Sequence, residues 1–188
     1  MLVPYMDYVT NNYCMFYRGS PFILFNQVIE NDDDVIIRVL NCGVCGTDVH
    51  IFHGDIANVG AEFIPGHETG GVVVEVGAKV TSVSVGDNVA IDPNRGCHKC
   101  EFCRASQPHF CPTGSFNDAI GIVRNGGFSQ FVKAPEEQLY KIPHWFNLDL
   151  LCLLEPMSCV LHGWRKLVKV HSIEHGTRIL IQGAGSSA

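Results

Sequence analysis

Between about residues 20 and 145 the apolar positions come in short bursts. "VIIRVL" (35–40), "GGVVVEVG" (70–77), "DNVAID" (87–92) and "FSQFVKAP" (128–135) are rich in β-branched or aromatic residues and bounded by Gly, Asp, Asn or Pro. Each reads as a strand. Turn-forming residues recur about every 8–12 positions, which points to a barrel or sandwich rather than to alternating strands and helices. "NDDD" (31–34) predicts an exposed turn, and "GVCGTDVHIF" (43–52) the start of a short helix. From about residue 146 the pattern changes. Pro156 suits the first turn of a helix, where its missing N–H leaves no bond unmade. Val160, Trp164, Leu167 and Val168 follow at helical spacing as an apolar stripe. "TRILIQGAGSSA" (177–188) then reads as a buried strand running into a glycine-rich turn. The expected fold is mainly β with few short helices, in three parts: an atypical segment 1–20, a β domain 21–150, and a helix with the start of a further unit, 151–188.

Composition narrows the class. Of 188 residues, 46% are hydrophobic and 17% charged, enough apolar content for a folded core. The net charge of −6 argues against a nucleic-acid partner, which usually meets a basic face. No apolar run approaches the roughly 20 residues of a membrane span, and "MLVPYMDYVTNNYCMFYRG" lacks the basic start and compact apolar centre of a signal peptide. A soluble, cytoplasmic protein is expected. Nine cysteines in such a compartment point to metal ligands more than to a disulfide scaffold.

Four of them lie in "CHKCEFCRASQPHFC" (97–111), as Cys97, Cys100, Cys103 and Cys111. Four thiolates suit tetrahedral zinc in a closed structural site, and pairs two residues apart let one tight turn present two sulfurs. An iron–sulfur cluster competes, since Pro112 follows Cys111 as in a ferredoxin run, although the last gap is seven residues rather than three. Two disulfides are a third reading.

"CGVCGTDVH" (42–50) and "GHETGG" (66–71) bring a different mixture: Cys45, Thr47, Asp48, His50, His67 and Glu68. A sulfur, an imidazole and carboxylates with one open position describe a catalytic zinc. Glu155 comes from a distant stretch at the start of the expected helix. Each residue has an ordinary reading too: His67 as a satisfied surface histidine, Glu155 as a carboxylate favoured at a helix N-terminus.

Taken in order, "CGVCGTDVH", "GHETGGVVVEVG", "VGDNVAIDP", the four-cysteine lobe, "GGFSQFV" and "LLEPMSCVLHG" resemble the zinc-containing medium-chain alcohol and polyol dehydrogenases, in particular the sorbitol dehydrogenase-like branch. The resemblance covers roughly residues 20 to 188. It implies a GroES-like β-barrel catalytic domain, with a structural-zinc lobe at 93–115, followed by the first strand of a Rossmann domain. By position it implies Cys45, His67, Glu68 and Glu155 around a catalytic zinc, with Cys159 a less favoured substitute for Glu155, and Cys97, Cys100, Cys103 and Cys111 around a structural one. That makes two zinc ions per chain. Thr47 and His50 match the family's proton relay, and Asp48 would hold the ring of His67.

The activity implied is NAD- or NADP-linked oxidation of a polyol or secondary alcohol, a small-molecule substrate, by a full-length relative expected to be a homo-oligomer. Gly183 and Gly185 open the G-x-G-x-x-[GA] turn that cradles a dinucleotide, with Ala188 in its last place. Only five residues follow Gly183, so the chain alone is expected to bind little dinucleotide. An inert zinc-binding fragment or interaction module is the alternative.

Overall fold

The computed structural model describes residues 12–13, 24–25, 27–56, 59, 64–183 and 185. Most of segment 1–20 therefore lies outside the described residues. Two short strands, β1 (Asn12–Tyr13) and β2 (Leu24–Phe25), pair antiparallel. The main sheet has five antiparallel strands: β3 (Asp34–Gly43), β4 (Glu68–Val76), β5 (Asn88–Ile91), β6 (Phe131–Pro135) and β7 (Leu139–Lys141). Their order is β6-β3-β4-β5-β7.

That order forces curvature. β6 and β7 are the two edges, yet only Glu136–Gln138 join them. Four residue steps from Pro135 to Leu139 span at most about 14 Å. In a flat sheet the outer two of five strands would be about 19 Å apart. The sheet must curl into a half-barrel. Its packing agrees, because one apolar cluster draws on all five strands: Val35 and Ile37, Val73, Val89 and Ile91, Val132 and Ala134, and Leu139. The i, i+2 pairs are the period of a strand with one face inward. Ala90 points the other way and packs with Ile142 and Leu151. Gly70 makes that outer contact possible, since a Cβ there would lie 2.5 Å from Leu151 Cβ.

Helices attach to this frame at its ends. α1 (Gly46–His53) follows β3 directly and stops at Gly54, whose φ of 81° is left-handed. α2 (Glu101–Arg104) and tight turns at Pro108–Phe110 and Ser115–Asp118 build the cysteine lobe. A tight turn at Leu148–Leu153 leads into α3 (Leu154–Val170), with Pro156 in the first turn. No helix among the described residues is long and apolar enough to cross a membrane.

Two expectations are corrected. In "NDDD" only residues 31–33 form the exposed turn; Asp34 is buried, because its carboxylate accepts the N–H groups of Glu30 and Asn31 at 3.0 and 2.9 Å. Residues 177–183, read as the first strand of a Rossmann unit, form no strand. A strand needs a ladder partner, and none of the described strands lies beside them; Leu180 is 94% exposed. The apolar stripe of α3 is likewise open at Trp164, Leu167 and Val168.

Candidate metal centres

Strand register assembles the first centre. β3 and β4 pair with Gly43 opposite Glu68 and Cys42 opposite Thr69. Cys45 follows the end of β3 and His67 precedes β4, so both meet at one end of the sheet. One donor atom each of Cys45, His67 and Glu68 lies within 4.8 Å of the others, and the last two residues are buried. Glycines clear the space. A Cβ on Gly43 would sit 2.0 Å from Glu68 Oε2. Gly66, just before His67, has a φ of 98°, and a Cβ there would meet Cys42 Sγ and the Phe128 backbone N at 2.8 Å.

Asp48 ties the donors together. It stands in the first turn of α1, where Oδ2 accepts the Cys45 N–H at 2.8 Å. Its Oδ1 faces His67 Nδ1 at 3.6 Å, just beyond hydrogen-bond length, and neither buried atom has a hydrogen-bond partner among the described residues. A carboxylate beside Nδ1 turns Nε2 outward, the arrangement of a metal-ligating imidazole. Burial alone would lower the His67 pKa; Asp48 and Cys45 outweigh it and raise it to about 9. Burial pushes the Glu68 carboxyl up, against the pull of His67. The cluster therefore gathers carboxylates and a thiol around a single imidazole, in a pocket that disfavours their charges. A divalent cation bound by S, N and O donors relieves that imbalance, so the donor set fits zinc.

Glu155 reaches toward this centre from α3 but stands outside the three-donor group. Burial raises its carboxyl pKa, opposed by His67 and reinforced by Glu68. Cys159, one turn on, donates its S–H to Glu155 Oε1 at 3.8 Å. Thr47 Oγ1 lies 3.8 Å from Cys45 Sγ. His50 is exposed, with Nδ1 3.2 Å from Asp55 Oδ2, and no hydrogen bond joins it to Thr47 among the described residues. Gly183 has a left-handed φ of 120°, but no helix after Gly183 or Gly185 is among the described residues.

Asn41 was not singled out from the sequence. Its Nδ2 donates to the Leu148 carbonyl at 2.6 Å and its Oδ1 accepts the Cys152 N–H at 2.9 Å. Both ends of the amide thus clamp the turn that feeds α3 and Glu155. The one available signal was a strand-averse residue inside a strand.

The second centre is local. The sulfurs of Cys97, Cys100, Cys103 and Cys111 lie within 4.8 Å of one another, and each cysteine is a free thiol. Backbone N–H groups point at them: Cys100 to Cys97 Sγ at 3.4 Å, Cys103 to Cys100 Sγ at 3.5 Å, Cys97 and Gly114 to Cys111 Sγ at 3.3 and 3.2 Å. Burial would raise the Cys111 pKa, but backbone donors and Thr113 bring it down to about 5. Such N–H groups stabilise thiolates at Cys97 and Cys111, whereas burial and the neighbouring Cys100 push Cys103 up to about 11; a cation among the four sulfurs would favour the thiolate form of all of them.

Comparison with known proteins gives the same picture. The alcohol dehydrogenase GroES-like domain matches residues 31–144. D-arabinitol dehydrogenase 1 of Uromyces fabae is 40% identical over 170 residues, covering 89% of this chain and 46% of that protein. D-arabitol-phosphate dehydrogenase of Enterococcus avium is 36% identical over 170 residues, covering 90% and 47%. The crystal structure of a protein assigned as a zinc-binding dehydrogenase of Sinorhizobium meliloti 1021, bound to NADP, superposes with a TM-score of 0.76 at 31% identity, over 89% of this chain and 48% of that one. The chain spans about half the length of the curated relatives it matches. With the half-barrel, the register-built donor cluster and the match over residues 31–144, the chain belongs to the alcohol dehydrogenase GroES-like domain family.

Proposed function

We propose that this chain is the metal-binding catalytic part of a zinc- and NAD(P)-dependent dehydrogenase that oxidises a polyol or secondary alcohol to a ketone. The observation that carries this reading is the convergence of Cys45, His67 and Glu68 beside Asp48. The relatives named D-arabinitol and D-arabitol-phosphate dehydrogenase support the substrate class.

Cys45, His67 and Glu68 would hold the catalytic zinc, with Glu155 completing the set from α3. When bound there, zinc supplies a Lewis acid that lowers the pKa of an alcohol hydroxyl. A nicotinamide cofactor supplies the hydride acceptor. The chain's own residues do the rest. Asp48, beside Nδ1, would hold the ring of His67 and leave Nε2 for the metal. Two carboxylates in place of a second thiolate make a harder centre, suited to a hydroxyl-rich substrate. Thr47, beside Cys45, can accept and pass the hydroxyl proton, and His50, at the surface, can release it to water. The four-cysteine lobe would hold a second, closed zinc that stabilises the fold. The catalytic unit runs from 21 to 150, with α3 and the residues after it leading to the cofactor half. Free thiols set to bind metal suit a reducing compartment, which supports a cytoplasmic location.

A second reading, a zinc-binding interaction module without turnover, draws on residues 177–183, which pair with no described strand, and on the open stripe of α3. One experiment separates the two. The chain is assayed alone and joined to the C-terminal half of a D-arabinitol dehydrogenase, with polyols and NAD or NADP. Turnover by the joined protein that is lost on His67→Ala supports the enzyme; a folded, zinc-loaded fusion that oxidises no polyol supports the module.

A further inference from the structure

His67 stands at the end of an irregular stretch, residues 64–67, that leads into β4 without belonging to it. A second irregular stretch, residues 125–128, which opens the "GGFSQFV" motif, straps the first one down. Asn125 Oδ1 accepts the Ile64 N–H at 3.0 Å. The N–H groups of Gly126, Phe128 and Gly127 donate to the carbonyls of Ile64, Pro65 and Gly66 at 2.7, 3.0 and 2.7 Å. Packing is tightest around the Gly66 carbonyl. A Cβ on Gly121 or Gly126 would lie 2.2 or 2.3 Å from its oxygen, so only glycine fits at either place. Thr69 is 2% exposed, and its hydroxyl donates to the same oxygen at 3.2 Å. Together with Gly127, it fills both lone pairs of that oxygen. Cys42 Sγ lies 3.1 Å from the Thr69 hydroxyl; since the hydroxyl's one proton goes to Gly66, the Cys42 S–H is the donor to it.

We propose that Thr69 and the strap at 125–128 are positioning residues for His67, holding the Gly66 carbonyl from two sides and so aiming the imidazole at Cys45 and Glu68. This rests on the reading of Cys45, His67 and Glu68 as zinc ligands. Gly66 is left-handed, with a φ of 98°, and glycine is the residue freest to leave any one conformation, so the turn needs outside bonds to keep it. The Gly66 carbonyl and the His67 nitrogen belong to one planar peptide. Two bonds to the oxygen therefore fix the plane on which His67 is mounted. The mount matters because the ring itself is loosely held: Asp48 Oδ1 faces Nδ1 from 3.6 Å, too far for a firm hydrogen bond. A swing of the peptide would carry the ring out of the 4.8 Å group it forms with Cys45 and Glu68. The competing account is that these bonds only stiffen one end of the half-barrel, with no effect on the metal.

The test is competition for zinc between the intact chain and a chromogenic chelator, with bound zinc counted by mass spectrometry. Cys45→Ser marks which zinc belongs to the mixed centre. Thr69→Val keeps the side-chain shape and removes the hydroxyl; it should bind that zinc about tenfold more weakly while the cysteine lobe holds its own as in the wild type. Thr69→Ser, which restores the hydroxyl, should bind as the wild type does. Asn125→Ala loosens the strap from the other side and should give the same selective loss. In cobalt-loaded protein, Thr69→Val and Asn125→Ala should shift the visible bands that Cys45→Ser lacks. Val73→Ala, buried in the half-barrel, should lower Tm without moving those bands or that affinity. The proposal is overturned if either Thr69→Val or Asn125→Ala, once folded, holds the mixed-centre zinc as tightly as the wild type, if the cobalt bands of both stay in place, or if Thr69→Ser is as weak as Thr69→Val. Should Thr69→Val fail to fold, Asn125→Ala and Thr69→Ser decide by the same criteria. If Cys45→Ser holds as much zinc as the wild type, the underlying reading of the mixed centre fails first.

Discussion

Asn41→Ala tests how the sheet places Glu155. The substitution removes both clamp bonds and strands the Leu148 carbonyl and Cys152 N–H on either side of the buried Leu151. A net hydrogen bond contributes about 0.5–1.5 kcal/mol, so the pair accounts for about 2 kcal/mol. For a chain of this size that lowers Tm by about 4–8 °C. The loss should be uneven. The turn at Leu148–Leu153 runs straight into α3, and Glu155 is the second residue of that helix. Loosening the turn therefore weakens the mixed centre while the cysteine lobe keeps its ion. Thermal melts paired with zinc counts at rising chelator concentration measure both effects. Val73→Ala, a buried change in the half-barrel, is the control: it should lower Tm similarly without preferential loss from the mixed centre. The positioning role is refuted if Asn41→Ala melts with the wild type, or if it loses zinc from both centres in the proportions of the control.

Two further predictions address the site and the pH response. Gly43→Ala should push the Glu68 carboxylate aside, because the new Cβ would overlap Oε2; the fold tolerates the swing of a side-chain end, so zinc affinity at the mixed centre falls about 10–100-fold with little change in Tm, read by chelator competition. For Asp34, burial would raise the pKa above 3.8, but the Asn31 and Glu30 N–H groups and Lys133 outweigh it and hold it lower. A depressed carboxylate stabilises the fold above its ordinary pKa and loses that contribution as pH falls through the folded value. Asp34→Asn should therefore cost stability at neutral pH, and urea titrations should show the difference from wild type shrinking below about pH 4; a constant difference down to pH 2 would contradict this.

What the sequence made legible was local. The β-branched bursts at 35–40 and 70–77 fall on β3 and, but for Gly77, on β4, and Pro156 stands in the first turn of α3. The four sulfurs of the lobe are close in sequence and close in space. The mixed centre was harder to read because its geometry depends on pairing between strands far apart in the chain: the register of Gly43 with Glu68 brings Cys45 to His67. The closing of the sheet likewise depends on which strands become edges. Asn41 escaped notice because its partners lie more than a hundred residues away. Residues 177–183 carry a strand's composition without a strand's partner, and composition alone cannot form a ladder.

We propose that the two separate donor sets in this chain each hold a zinc ion. Metal analysis of the purified chain, with native mass spectrometry for stoichiometry, should find two zinc ions per chain. His67→Ala should hold one and stay folded; Cys100→Ser should lose the other together with much of its stability, because structural zinc binding is folding free energy. Iron with visible charge-transfer absorption, a single zinc, or a His67→Ala protein that unfolds while Cys100→Ser does not would contradict it.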